Sequence, residues 1–519
     1  MMKRHKIGAL ILAFIMVAGA FGSEGFSPYV YASGSFKKTA DNTRLGVGEI
    51  SGPEKFTKNE SRWRGSYVYY GKFRPEGSSL TYPVRYCVLD PDSHEYGVSG
   101  GSLFLDCDTM LTDMYYDKAT PYDWKHSIVY EWLNGTFRDT SFTGGEKNAI
   151  ARSVKTSPTT YPVLKADDMK PYISDKGTLL PFAKLKESDD NYCFLLDRTE
   201  MGNAYYSYYN PYEDEYRMKR MITDTDKKGD TTEWWLRSHF PEGSEDNAQA
   251  MYVTNMGEFD YEDMGTPRYG VSPALNIARS SVIFSSLVNG KDEYKLTVRD
   301  AGITADIKKG VTRKGNEILI PYTLSGPNAG SVNRLSAIVT DGTWNDETGW
   351  SDGARILQYA KLSTISTAKG DIGSGSFKLD KSLRKKVPGK DYQIYLIAES
   401  IAGDCDGVEA RYRTDYASKP VKVNKIEKND VKRVYVTPSL SLSVGKQKTL
   451  KATVFPKNAK NTGVIWTSSK PGVAEIDSSG VLTAKKAGKT TITATSMVGR
   501  SKRTCKVTVK PKKSKTKAT

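Results

Sequence analysis

Along most of the chain, short apolar runs alternate with clusters of Gly, Pro, Asp and Asn, and the runs are too short for long helices. Strand-like pieces at 67–70, 82–89 and 102–105 are separated by turn formers, and strand patterns resume at 192–196, 234–237, 249–254 and 271–277. Two helical patterns interrupt them. Ser127 is placed to cap the first, where Ile128, Val129, Trp132 and Leu133 form an apolar stripe that Gly135 is expected to stop. Thr143 and Glu146 stand three apart as a capping box for the second, which runs through Ala149 and Ile150. This mixed order predicts an α+β domain over 61–285. Residues 286–425 read as β, with strands at 294–298, 318–324, 335–340, 392–399 and 410–412, and predict a sandwich. In 426–510 the alternation is clean. Leu440, Leu442 and Val444 alternate with serines, and Cys505, Val507 and Val509 alternate with Lys506, Thr508 and Lys510, so each strand has one buried face and Cys505 points inward.

Length agrees with this division, since 519 residues exceed what one core organises. The start, MMKRHKIGALILAFIMVAGAFG, has a basic head and an apolar run shorter than the roughly 20 residues of a spanning helix. With the small-x-small triplet Val30-Tyr31-Ala32 it predicts an export signal over 1–32, followed by a leader over 33–60. No later segment is apolar enough to span a bilayer, so the expected product is secreted and held at a cell surface noncovalently. Composition fits a folded polar protein rich in strands and loops, with 38% hydrophobic residues, mean hydropathy −0.53, 45 glycines and 32 tyrosines.

Charge adds a second distinction. Residues 426–519 hold 21 Lys/Arg against 4 Asp/Glu, a balance of +17 that leaves the rest of the chain at −1. A basic module ending in the tail 511–519 is drawn to anionic polymers, which outside a cell are wall polymers, acidic glycans or lipid headgroups. Export removes nucleic acid as a partner. The five cysteines, Cys87, Cys107, Cys193, Cys405 and Cys505, are too few for a disulfide scaffold; Cys87 and Cys107 flank a hairpin and are the pair to consider. Three histidines past the signal and no CxxC argue against zinc, and no metal or cofactor is expected.

Two stretches look like sites. TTEWWLRSHFPEG sets two tryptophans, an arginine, a serine and a histidine together, yet strand neighbours point to opposite faces, so Ser238 and His239 cannot act as nucleophile and base. One face is expected to be core and the other to present Trp235 with Arg237, a pair suited to stacking or to a carboxylate. The stretch GNAYYSYYNPYEDEYRM gathers Tyr205, Tyr206, Tyr208, Tyr209, Asn210 and Tyr212 without helical or strand period and reads as a long loop suited to sugar rings. No acid and base pair, phosphate loop or nucleophile elbow stands out, so catalysis is not expected. Trp344-Asn345-Asp346 spells the WND of calcium-dependent lectins, but without the companion loop it is read as coincidence, with Asp346, Glu347 and Asp352 able at most to hold calcium weakly.

Two families are suggested by motifs. The ordered series YYGKF, YPVRYCVLD, SIVYEWLNGTFRDTSFTGGEKNAI, WWLRS and YGVSPALNI resembles an uncharacterised domain family of secreted Gram-positive proteins, marked by a WLN helix, a WWLRS strand and a GVRPAL strand. Ser272 stands where that family usually has arginine, so no role of that arginine carries over. The ending is similar in outline to C-type-lectin-like domains. The segment VYVTPSLSLSV through RTCKVTV, with TSSKPGVAEID and GVLTAKKAGKTTITA, resembles a bacterial immunoglobulin-like domain of group 2, the kind found in invasin- and intimin-like adhesins. The export signal, the order of modules and the tyrosine loop together predict a modular surface protein that binds a glycan, a cell-wall polymer or a host ligand. The alternatives are a secreted enzyme acting on glycans and a scaffold with no ligand of its own.

Overall fold

The computed structural model describes residues 45–53, 65–117, 124–157, 182–201, 206, 219, 233–239, 249–265, 267–289, 292–308, 310–365, 373–401, 408–428, 431–459, 462–497 and 501–512. The expected signal, most of the leader and the end of the basic tail lie outside them. No helix among the described residues is long and apolar enough to cross a membrane.

The molecule is multidomain and mostly β. In the head, the expected strands form as Tyr67–Phe73, Tyr82–Ser93 and Ser102–Cys107, hydrogen-bonded in that order, with Ala274–Ala278 beside the third. A five-stranded sheet contains Thr112–Met114, Tyr269–Val271, Trp234–His239, Gln249–Val253 and Phe259–Asp263. The single strand expected over 271–277 is therefore two strands in two sheets. Pro273 lies at the break, where its missing N–H suits a chain leaving one ladder for another.

The helices are short, which keeps the head from an even α+β balance. Ser127 accepts a hydrogen bond from Tyr130 N, as a cap should, but Gly135 does not end the helix. The chain continues through a wider turn at Leu133–Phe137 into Arg138–Ser141, because Leu133 and Phe137 are buried in the core. The capping box of Thr143 and Glu146 forms, and the buried Glu146 also accepts from Gly71 N at 3.2 Å and Thr414 Oγ1 at 2.6 Å. Gly71 has φ +71°, and a Cβ there would lie 2.6 Å from the Phe142 ring, so glycine lets strand and helix meet.

The expected boundary at 285/286 falls inside the strand Val282–Asn289. Its hairpin partner, Glu293–Arg299, pairs in parallel with Tyr67–Phe73 of the head and with Asp415–Ala417 of the middle module. Among the described residues, one 13-stranded sheet runs through both. A register shift between Val282 and Phe284 lets the strand Val282–Asn289 serve different cores: Val282 belongs to the head core, while Ile283 and Phe284 pack with Leu45, Ile338, Trp350, Tyr395 and Ile397. The opposite face of the strands Arg334–Thr340 and Gln393–Ser400 packs through Ala337, Val339, Ile394 and Leu396 against the strand Glu317–Ser325 of a second sheet. The expected strand at 410–412 is a tight 3-10 turn.

The C-terminal module has its own core. A four-stranded sheet, in the order Ser439–Ser443, Lys502–Lys510, Gly488–Ser496 and Val464–Ser468, packs with a three-stranded sheet around Trp466, Leu482, Ile492, Cys505 and Val507. Cys505 points inward as its pattern requires. Cys87, Cys107 and Cys193 are likewise buried and free. Register explains why the first two do not bridge. Cys107 stands opposite Tyr86, and Cys87 opposite Asp106, so a one-residue offset sends the thiols to opposite faces of the sheet. Burial pushes the Cys107 and Cys193 thiols up to about 12, which removes them as nucleophiles at neutral pH.

Candidate functional site

Of the predicted site residues, Tyr206, Trp235 and Arg237 are described, and all three are buried. The Tyr206 ring stands edge-on to Phe104 at 5.5 Å. Trp235 packs against Tyr116 and Tyr269 at 5.3 and 4.7 Å and donates its indole N–H to Met114 O at 2.9 Å. Tyr205, Tyr208, Tyr209, Asn210 and Tyr212 lie outside the described residues. The strand Trp234–His239 was expected to bury one face and offer the other. Both faces are covered, so Trp235 and Arg237 present nothing to an external ligand.

Arg237 does bind carboxylates, but they are its own chain's. Its Nη2 donates to Asp197 Oδ2 at 3.2 Å and lies 3.4 Å from Glu200 Oε1, while Nε donates to Ala183 O at 2.9 Å. Lys155 Nζ reaches Glu200 Oε1 at 3.3 Å, and Tyr96 Oη donates to the same oxygen at 2.7 Å. Burial alone would raise the Glu200 carboxyl, but Arg237 and Lys155 outweigh it and hold the group below the usual glutamate range. Burial and the neighbouring Glu200 carboxylate push the Asp197 carboxyl above its ordinary range despite Arg237, and the cluster, buried and bonded within itself, reads as a structural clamp.

Ser272 belongs to a buried polar cluster with Lys219 and Asp106. Lys219 Nζ donates to Ser272 Oγ and Cys107 O, both at 2.7 Å, and pairs with the fully buried Asp106, with the Trp234 ring 4.4 Å away. A cation from a distant segment neutralises the carboxylate, which no local motif signals.

An open groove of about 930 Å³ lies elsewhere, in the middle module. Its walls are the chain after Glu293–Arg299, the hairpin carrying Trp344 and Asp346, and the segment from Lys419 to Asn424. Trp344 is half-buried; its ring meets Trp350 edge-on at 5.2 Å, and Trp350 meets Tyr395 at 5.0 Å. Tyr395 Oη accepts from Trp344 N at 3.1 Å, and the indole N–H donates to Asp346 Oδ1 at 2.9 Å. Asn345 Oδ1 accepts from Glu347 N at 2.8 Å, which fixes the turn. A hydrogen-bonded ion pair from Lys419 holds the Asp346 carboxyl below its ordinary range. Asp300 is held by Gly302 N at 2.7 Å and Asn328 Nδ2 at 2.9 Å. Arg299, Lys422 and Asn424 complete the polar wall.

The WND triplet lies at the rim of this groove. Asp346 is taken by Lys419 and Asp352 by Arg279, and no cluster of three or more His, Cys, Asp or Glu suited to a metal occurs among the described residues. The usable signal was the turn chemistry around an aromatic residue. Its partners at 299–300, 395 and 419–424 are brought together only by the sheet.

Comparison with known proteins gives two family matches. The profile of the bacterial Ig-like domain (group 2) matches residues 430–507, and that of a domain of unknown function (DUF6273) matches residues 100–279. An alpha-L-arabinofuranosidase of Bifidobacterium longum is 25% identical over 379 residues, covering 70% of this chain and 32% of that protein. The chain therefore spans about a third of that relative's length. An uncharacterised protein of Clostridium acetobutylicum is 47% identical over 58 residues, covering 11% of this chain and 6% of its own length. Among solved structures, the tandem Ig repeats of Dlar align at a TM-score of 0.18 and 9% identity, covering 40% of this chain and all of that one. The S-layer protein SbsC aligns at a TM-score of 0.15 and 15% identity, covering 51% of this chain and 45% of that one. The chain is a multidomain, mostly β protein that carries a bacterial immunoglobulin-like domain of group 2 and a DUF6273 domain.

Proposed function

We propose that the chain is a modular surface protein that binds a glycan in the groove beside Trp344. One observation carries the reading: a half-buried indole, anchored by Trp350 and Asp346, stands at the rim of a groove walled by charged and amide side chains. A flat aromatic face suits the C–H face of a sugar, and fixed polar groups suit its hydroxyls. Support for a surface location comes from the group 2 immunoglobulin-like domain and from the export signal read in the sequence. For the head we propose a C-type-lectin-like outline, supported by the order of its closing strands, with Tyr205, Tyr208, Tyr209, Asn210 and Tyr212, but not the buried Tyr206, as a second contact region.

The full chain, screened against glycans and purified wall polysaccharides, is expected to bind, and Trp344→Ala to weaken that binding at least about tenfold, the worth of roughly 1.4 kcal/mol of lost contact. Unchanged affinity in the variant, with an unaltered melting curve, would remove the groove from the proposal. Asp346 supplies a pH test. A depressed carboxyl stays ionised from neutral pH down to the ordinary aspartate range near about 4, so binding is expected to hold over that span and decline below it as the Lys419 pair is lost. Titration of affinity against pH checks this; a decline centred near neutrality would contradict it.

The arabinofuranosidase similarity favours a second reading, hydrolysis. Against it, Asp346 is ion-paired and Asp300 is tied to backbone and amide donors, leaving neither placed as a general acid. Release of arabinose from an aryl arabinofuranoside that vanishes in Asp346→Asn would replace binding by catalysis.

A further inference from the structure

The outward face of the four-stranded sheet in the C-terminal module has an unusual composition. Its strands, Ser439–Ser443, Lys502–Lys510, Gly488–Ser496 and Val464–Ser468, contain no Asp or Glu. Cys505, Val507 and Val509 fill the core, so Lys506, Thr508 and Lys510 point away from it. Register sets hydroxyls beside them: Ser439 lies opposite Lys506, Ser441 opposite Thr508 and Ser443 opposite Lys510. On the other side, Lys489 lies opposite Thr508 and Thr491 opposite Lys506. Lys489, Lys506 and Lys510 are exposed. The module's acidic groups are placed elsewhere, with Glu475 paired to Lys485 and Asp477 closing a turn by accepting from Ser479 N and Val481 N.

A strand rises about 3.4 Å per residue and neighbouring strands lie about 4.8 Å apart, so Lys506 and Lys510 emerge on the order of 13 Å apart, with Lys489 on the next strand between them. This is a triangle of cations set among hydroxyl donors. Lysine is a point charge that meets a phosphate from any direction, whereas planar recognition of carboxylates favours the arginine fork. We propose that this sheet face binds a linear phosphodiester polymer, lying across the lysine triangle with its phosphate oxygens accepting from Lys489, Lys506, Lys510 and the flanking Ser and Thr hydroxyls. The face is separate from the groove beside Trp344, and Trp344→Ala leaves its binding unchanged.

The test uses the full chain with poly(glycerol phosphate) from deacylated lipoteichoic acid as probe. The face variant is Lys489→Gln, Lys506→Gln and Lys510→Gln together. A control variant with the same change in net charge, Lys448→Gln, Lys451→Gln and Lys457→Gln, removes exposed lysines outside the four-stranded sheet. The face variant is expected to lose at least about tenfold in affinity at low salt and to lower the slope of log K against log salt by about 2, as loss of roughly three phosphate contacts on a single-chain polyanion requires. The control is expected to lose less than about threefold, and both to melt like the parent. Equal losses in the two variants would show attraction by net charge alone and overturn the assignment. So would binding to polygalacturonate, or to phosphatidylglycerol vesicles, that matches or exceeds binding to poly(glycerol phosphate).

Discussion

A chain ending at residue 285 is expected to fail to fold cooperatively, although the sequence pattern places a domain boundary there. The cut removes the strand Glu293–Arg299, whose parallel register with Tyr67, Val68 and Tyr69 ties the first strand of the head to the middle module. It also removes Tyr294, Leu296 and Val298 from the head core. At about 1.5–3 kcal/mol for each large apolar side chain buried, the loss is on the order of 5–9 kcal/mol, comparable to the whole stability of a typical domain. Polar ties go with it. Arg85 loses its 3.1 Å pair with Glu293, and Glu146 loses the hydroxyl of Thr414. Residues 45–428 are expected to melt in one transition, with the module at 431–512 melting separately around its own core. Calorimetry on the two fragments and the full chain checks this. A sharp transition for 45–285 near the temperature of the longer fragment would show that the shared sheet is not a shared folding unit.

Arg237→Met is expected to cost about 3–5 kcal/mol, because it leaves carboxylates in the core with too little positive charge. Asp197 and Glu200 are fully buried, and after the substitution Lys155 alone faces Glu200 at 3.3 Å. Ala183 O also loses the donor it has at 2.9 Å. Arg237→Lys keeps the charge but not the fork that serves a backbone carbonyl and a carboxylate together, so an intermediate loss is expected. Combining Arg237→Met with Glu200→Gln removes one charge of each sign and is expected to recover part of the loss, which a double-mutant cycle measures. Urea unfolding gives the values. A change below about 1 kcal/mol for Arg237→Met would mean that water reaches the cluster and that the clamp is not structural.

Local signals were legible where one or two turns of chain decide them. The Ser127 cap, the Thr143 and Glu146 box, and the alternation around Cys505 and Val507 are all present in the structure. Signals that depend on what covers a strand were not. Trp235 and Arg237 share a face by period, but a period of 2 does not say whether that face meets solvent, and a second layer of chain buries it. The groove was missed for the same reason, since Trp344 gains its surroundings from Asp300, Tyr395 and Lys419, far away in sequence.

By itself the sequence determined the local elements, the immunoglobulin-like module and the concentration of positive charge at the C-terminal end, because side-chain period, turn chemistry and net charge act over neighbouring residues. Only the tertiary structure decided that the head and middle modules share a sheet, that Lys219 neutralises the buried Asp106, and that an open groove lies beside Trp344. Each of those outcomes rests on contacts between segments distant in sequence, from 51 residues for Trp344 and Tyr395 to 113 for Lys219 and Asp106 and further for the shared sheet, where strand register and burial select among partners that the pattern alone leaves equivalent.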